Sequence, residues 1–295
     1  MSRHAPSLLA GVLAFAAALA LMALFPARLA GEPGASAAPS SPTQVLQTAF
    51  DRTLNYSAVR SVVLRIHRGN DRVSLRAFDA AYRKVEERGD LLLRFTAPDY
   101  LRDTAFLIVE RDDGSSDAFL YQPEARRVRR VSTSQKSDAF YGSDLTLEDL
   151  EHQSWQRYEV RELPTAEERG YTCHVIEALP RHESQYGRIV AWIDRETLLL
   201  LRVDFYRSAS DTPLKTLTVE TEGLEMADHI YKPRRMWVRQ NGRDAATEVE
   251  FTRIDTDTVI TDRVFSAIQL ERSGRDLFES AGRGEKGVRE RAEHP

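Results

Sequence analysis

The stretch DAFLYQPEARRVRRVSTSQKSDAFYGSD, Asp117–Asp144, reads as strand, turn, strand and a long loop. AFLYQ, residues 118–122, has the aromatic and aliphatic density of a strand, and Pro123 ends it because its ring removes a ladder donor. In the strand that follows, Arg127 and Arg129 share one face, with Arg126, Val128 and Arg130 on the other. The stretch closes on Gly142-Ser143-Asp144, a loop end with an aspartate-anchored turn.

The same rhythm extends on both sides. Val62, Leu64 and Ile66 alternate with Val63, Arg65 and His67, and Leu91, Leu93 and Phe95 with Leu92, Arg94 and Thr96. Phe106 and Ile108 follow before the turn Asp112-Asp113-Gly114. Further strands are predicted over 158–163, 171–179, 188–194, 198–207, 216–222, 235–239 and 247–254. Short alternating strands with regular turns make a large antiparallel sheet, curved or partly closed. Helices are few. One runs from a Thr43 cap to about Asn55, with Val45, Leu46, Ala49, Phe50 and Leu54 on its stripe. The other is Thr146–Gln153, where Glu148 and Asp149 favour the positive end.

Several strands are apolar on both faces. Ile189, Ala191 and Ile193 oppose Val190 and Trp192, and the alternation groups Leu199, Leu201, Val203 and Phe205 on one side. An apolar sheet face must be covered, and two or three short helices leave room for a ligand-sized hollow or, equally, a filled sandwich. The candidates to line such a hollow are Leu91, Leu93, Phe95, Phe106, Ile108, Phe119, Tyr121, Trp192, Leu199, Leu201 and Phe205. Alternation alone does not say which face is concave.

Composition narrows the class. Hydrophobic residues at 42% support a core, and charged residues at 29% with a net charge of −4 leave no basic field to gather nucleic acid. Arg3 and His4 precede an apolar run, Leu8–Phe25, and a small-residue zone follows Pro26, which is the order of a secretory signal cleaved after Ala37; an uncleaved anchor is the competing reading. No lipobox cysteine ends the run. The single cysteine, Cys173, excludes an internal disulfide and suits a small core residue. His67, His152, His174, His182 and His229 lack metal-ligand spacing, so no metal and no cofactor are expected. Gly142-Ser143-Asp144 has no flanking glycine elbow and no nearby histidine, which argues against a nucleophile and against an enzyme.

The central stretch resembles the signature of the LolA-like outer-membrane lipoprotein-sorting family, in its branch associated with RND transporters. The matching positions are Asp117, Leu120, Tyr121, Pro123, Arg126–Arg130, Phe140, Gly142, Ser143 and Asp144. Phe95, Pro98, Arg102 and Ala105-Phe106-Leu107 agree with the preceding hairpin, Lys232-Pro233-Arg234 and Met236 with a late strand, and Val264-Phe265 and Leu270-Glu271-Arg272 with the closing segment. Two positions depart: Asp103 stands where the family has glycine, and Phe119 where it has tryptophan.

The resemblance implies a mainly β (α+β) fold, a curved antiparallel half-barrel with a few covering helices over a hydrophobic interior. It divides the chain into a signal peptide at 1–37, a linker at 38–42, a lipid- or lipoprotein-binding domain at 43–272 and a charged, flexible tail at 273–295. The function it implies is a periplasmic carrier or accessory protein for lipid or lipoprotein acyl chains. Its partners would be an RND-type inner-membrane transporter or an outer-membrane acceptor. The alternative within the same fold is a protein-binding accessory or envelope-stress sensor that carries no lipid. Arg126, Arg127, Arg129 and Arg130, with Gly142, Ser143 and Asp144, then form a loop that either meets a headgroup or partner or is fixed by ion pairs to Asp144, Asp149 or nearby carboxylates.

Overall fold

A computed structural model describes residues 39–69 and 72–271. The export signal expected at 1–37 and the tail expected at 273–295 lie outside the described residues. Helix α1 spans Pro42–Thr53. Its cap is Ser41, whose hydroxyl accepts from the Gln44 amide at 3.3 Å, and not Thr43. Pro42 occupies the first helical turn, where its missing N–H leaves no bond unmade, so the helix takes in the end of the expected linker. Val45, Leu46, Ala49 and Phe50 form its buried stripe.

A meander follows: β1 (Ala58–Arg68), β2 (Arg72–Val85), β3 (Arg88–Ala97), β4 (Ala105–Glu110), β5 (Ser116–Gln122) and β6 (Arg127–Arg130). After α2 (Leu147–Leu150) comes a second one: β7 (Tyr158–Glu168), β8 (Tyr171–Pro180), β9 (Arg188–Asp194), β10 (Leu200–Tyr206) and β11 (Lys215–Val219). A small hairpin of β12 (Glu225–Ala227) and β13 (Ile230–Lys232) interrupts it before β14 (Arg235–Gln240), β15 (Ala245–Asp255) and the short α3 (Ala267–Leu270).

All but the hairpin join one 13-stranded antiparallel sheet, ordered β6-β5-β4-β3-β2-β1-β15-β14-β11-β10-β9-β8-β7. The two meanders meet where β1 pairs with β15, Val63 opposite Glu250. The sheet is curved and open, a half-barrel. Its edges are β6 and β7, which are consecutive in sequence and at opposite ends in space. The chain between them, residues 131–157, must therefore cross the sheet. It does so on the concave side, burying Phe140, Leu145, Leu147 and Trp155.

The helix expected over Thr146–Gln153 is one turn, Leu147–Leu150, with Thr146 and Asp149 in a reciprocal capping box. Glu151 is extended, because the chain there turns to place Glu151 against Lys136 and His152 against Glu110. Asp103 adopts the left-handed conformation, with φ of 64°, that glycine takes without strain. The turn keeps its geometry.

Apolar clusters lie on both sides of the sheet. On the concave side α1 and Trp155 pack on Ile176, Ile189 and Leu200, and the crossing segment packs on Leu64, Phe78 and Leu93. On the convex side Val264 and Leu270 cover Leu92 and Leu107, and Tyr231 of β13 covers Leu199 and Leu201.

Candidate functional site

The concave face is filled at its two ends and hollow between them. At the β3–β5 end, Phe140 of the crossing segment stacks on Phe95 with ring centres 5.6 Å apart and meets Phe106 edge-on at 5.6 Å. Tyr141 adds a second ring, 4.7 Å from Phe95. At the other end Trp155 meets Phe50 of α1 at 4.7 Å and Tyr158 at 5.1 Å. Between these plugs lies a cavity of about 190 Å³. Its walls come from α1 and its C-cap (Phe50, Leu54), the sheet (Val62, Leu64, Phe78, Ala80, Leu91, Leu93, Val203, Leu217, Met236, Val249) and the crossing segment (Leu145, Leu150, Trp155).

Of the residues proposed from sequence to line a hollow, Leu91, Leu93 and Phe205 do so. Phe95, Phe106 and Ile108 share the concave side but are buried in the packed end beneath Phe140. Phe119 and Tyr121 alternate onto the convex side with Val264 and Leu270. Trp192, Leu199 and Leu201 are convex as well, with the Arg202 guanidinium over the Trp192 ring at 4.4 Å. The grouping of Leu199 and Leu201 with Val203 and Phe205 fails for a physical reason. A bulge between Leu200 and Arg202 inserts one residue and reverses parity, so Val203 and Phe205 face inward and Leu201 outward.

At Asp144 and Asp149 the motif loop is held by partners outside the arginine run, while Arg130 pairs with the nearby carboxylate of Asp117. The Asp144 carboxylate takes Arg68 at 3.2 Å and the Thr247 hydroxyl at 2.7 Å, while the Asp144 amide donates to the same hydroxyl. Arg68 also donates to the carbonyl of Gly142, which adopts a positive φ of 80°. Ser143 donates to the Phe140 carbonyl at 2.6 Å and is buried. Asp149 pairs with Lys215. None of the four arginines reaches Asp144 or Asp149: Arg130 pairs with Asp117, Arg129 donates to Gln135 at 3.0 Å, and Arg126 and Arg127 are exposed without an ion-pair partner among the described residues.

A polar cluster abuts the cavity beside β2 and β3. His152 Nδ1 and Glu110 Oε2 are linked at 2.7 Å with both side chains buried, and the Gly89 amide donates to the same oxygen at 2.7 Å. Gly89 is obligatory there, since a Cβ would lie 2.3 Å from Tyr82 Oη and 2.6 Å from His152 Cβ. Burial pushes the Tyr82 phenol well above its usual value. Arg60, Tyr82, Trp155 and Lys215 were not singled out from the sequence. A lone arginine or tyrosine in an alternating strand carries no mark of the cavity it faces. Among the described residues, no group of three or more His, Cys, Asp or Glu is placed to hold a metal ion, and no helix is long and apolar enough to cross a membrane.

A family model described as an uncharacterized protein matches residues 87–272. The fold is similar to an outer membrane lipoprotein-sorting protein domain from Vibrio parahaemolyticus, at 25% identity and a TM-score of 0.72, covering 78% of this chain and 98% of that one. It is similar to a DUF1329 family protein from Desulfovibrio piger, at 24% identity and a TM-score of 0.69, covering 78% and 100%. A LolA superfamily protein from Nitrosomonas europaea shares the fold at 14% identity and a TM-score of 0.65, again covering 78% and 100%. No curated protein matches the chain.

Proposed function

The chain belongs to the LolA-like family of outer-membrane lipoprotein-sorting proteins, and from that premise we propose that it is a periplasmic carrier or accessory protein sheltering an acyl chain under α1 and the crossing segment. The observation that carries this reading is the apolar cavity of about 190 Å³ between those elements and the concave face. An apolar cavity of roughly 150 Å³ is enough to stay dry and take a benzene-sized molecule. The space here therefore accommodates part of one hydrocarbon chain, and a longer stretch enters only as α1 and residues 145–155 move off the sheet.

Each methylene withdrawn from water contributes about 0.8 kcal/mol, so ten of them favour the cavity by roughly 8 kcal/mol before the lid's displacement is counted. A ligand held that way leaves slowly unless a membrane or protein partner takes it. An RND-type transporter or an outer-membrane acceptor meets that need. No bond is made or broken in such a cycle.

Native mass spectrometry of protein isolated from a periplasmic extract, followed by organic extraction, tests the reading. A stoichiometric acyl-bearing adduct that extraction removes is the expected result. A protein that emerges free of lipid and fails to take up a fluorescent acyl probe sinks it.

A further inference from the structure

The cavity wall is mainly apolar, with Thr53, Asn55, Gln153 and Tyr186 among its polar residues. Four charged residues touch it: Arg60, Asp149, Glu151 and Lys215. Lys215 and Asp149 neutralise each other, and Glu151 is paired with Lys136 at 2.5 Å. Arg60 is different. It is only 8% exposed, and no carboxylate lies within ion-pairing distance of it among the described residues.

Arg60 hydrogen bonds leave from one nitrogen, Nη2, to the carbonyls of Leu54 at 3.2 Å and Tyr56 at 3.0 Å. Its guanidinium lies 4.4 Å from the Tyr56 ring centre and 5.8 Å from that of Tyr82. Nε and Nη1 donate to nothing among the described residues. Tyr82, whose ring shares the cavity wall with Arg60, has a buried hydroxyl with no hydrogen-bond partner, and the indole N–H of Trp155, on the same wall, has none either.

A hydrocarbon chain alone would leave the cation unmatched and the phenol unbonded in a low-dielectric space, which is costly. A ligand that brings an acidic, two-oxygen acceptor removes both costs. A guanidinium fork matches a carboxylate in two parallel bonds, and a phenol adds a third donor. Without displacement of the lid, the cavity of about 190 Å³ has room for part of one chain and not for a glycerol backbone with two chains and its phosphate.

We propose that Arg60 and Tyr82 hold the ionised carboxylate of a single-chain fatty acid beside the C-terminal end of α1, with its alkyl chain along the aliphatic wall. This rests on the acyl-chain reading of the cavity and adds the chemistry of the ligand's polar end. Arg60 also closes the carbonyl end of α1, a structural role that would serve any ligand equally. Selectivity for the acid over its ester separates the two.

Displacement of a fluorescent acyl probe by decanoate, methyl decanoate and decanol at neutral pH is the test. Decanoate is expected to bind at least about tenfold more tightly than the methyl ester, as fits a charge-assisted hydrogen bond. Arg60→Met is expected to bring acid and ester to parity, Arg60→Lys to restore part of the preference, and Tyr82→Phe to reduce it about threefold or more. Should Arg60→Met not fold, Tyr82→Phe and Arg60→Lys carry the comparison. Equal affinity for acid and ester in the wild type, or an acid preference that survives Arg60→Met, overturns the proposal and leaves the cavity reading standing. If none of the three binds, both fall.

Discussion

The ammonium of Lys215, on β11, meets the carboxylate of Asp149, on α2, with the two side chains 3% and 5% exposed. Lys215 donates also to the Asp144 carbonyl at 3.1 Å, and Asp149 accepts from the Tyr186 hydroxyl and the Thr146 amide. This knot ties the crossing segment to the sheet at the cavity wall. Removing one partner strands the other charge. Lys215→Met is expected to destabilise by about 3–5 kcal/mol, and the pair Lys215→Met with Asp149→Asn to recover a large part of that. Denaturant unfolding of the two variants checks it, and equal losses in single and double variant would show that the ion pair does not hold the segment.

Filling the hollow should silence it without unfolding the protein. Ala80 is buried on the cavity wall, so Ala80→Leu places its added carbons in the open space. Adding volume to a solid core costs typically 1–3 kcal/mol. Here the expected change in stability is under about 1 kcal/mol, with acyl-probe affinity falling tenfold or more. Phe119→Leu and Trp192→Phe, on the convex side, are expected to leave affinity within about twofold. A strong loss from the convex variants would place the ligand elsewhere.

Much of this architecture was legible in the residues. The period-two patterns of Val62–Ile66 and Leu91–Phe95 give the correct faces, and the central motif marks both the hairpin β5–β6 and the plug Phe140. Strand β2 was not legible: RVSLRAFDAAYRKV carries alanines and arginines that favour helices, and it is a strand because β1 and β3 pair with it on both sides. The cavity wall was only partly legible. Alternation sorts residues into two faces but does not name the concave one, and the bulge at Leu200 reverses even the sorting. The donors Arg60 and Tyr82 gain their significance from burial, which spacing does not encode.

The closing segment hangs on one buried cation. Arg94, 2% exposed, donates to the carbonyls of Asp103 at 3.3 Å, Gln269 at 3.0 Å and Leu270 at 3.2 Å, and burial lowers its basicity. It thus ties α3, whose Leu270 covers Leu92 and Leu107, to the sheet. Arg94→Ala frees the α3 carbonyls and opens a void, with an expected loss of about 1–3 kcal/mol. Limited proteolysis should then cut first near residues 259–271, ahead of any cleavage in the sheet. Unchanged protease resistance would mean that Val264 and Leu270 hold the segment by packing alone.

Acid should loosen the crossing segment at its β7 end. His182 packs edge-on against Tyr158 at 5.0 Å, and burial, reinforced by the Arg157 guanidinium, holds its imidazole below the usual histidine value. The folded form thus resists a proton that the unfolded chain accepts near pH ~6.5. The unfolded state binds more protons as the pH falls below that value, so stability is full above it and declines as pH drops through the lower folded value. His182→Phe keeps the aromatic contact and removes the titration. Thermal melts from pH 8 to pH 5 should show the wild type losing more stability than His182→Phe over the acid part of that range, with the two differing by a constant amount above about pH 7.5. Parallel curves throughout would assign the acid sensitivity to other groups.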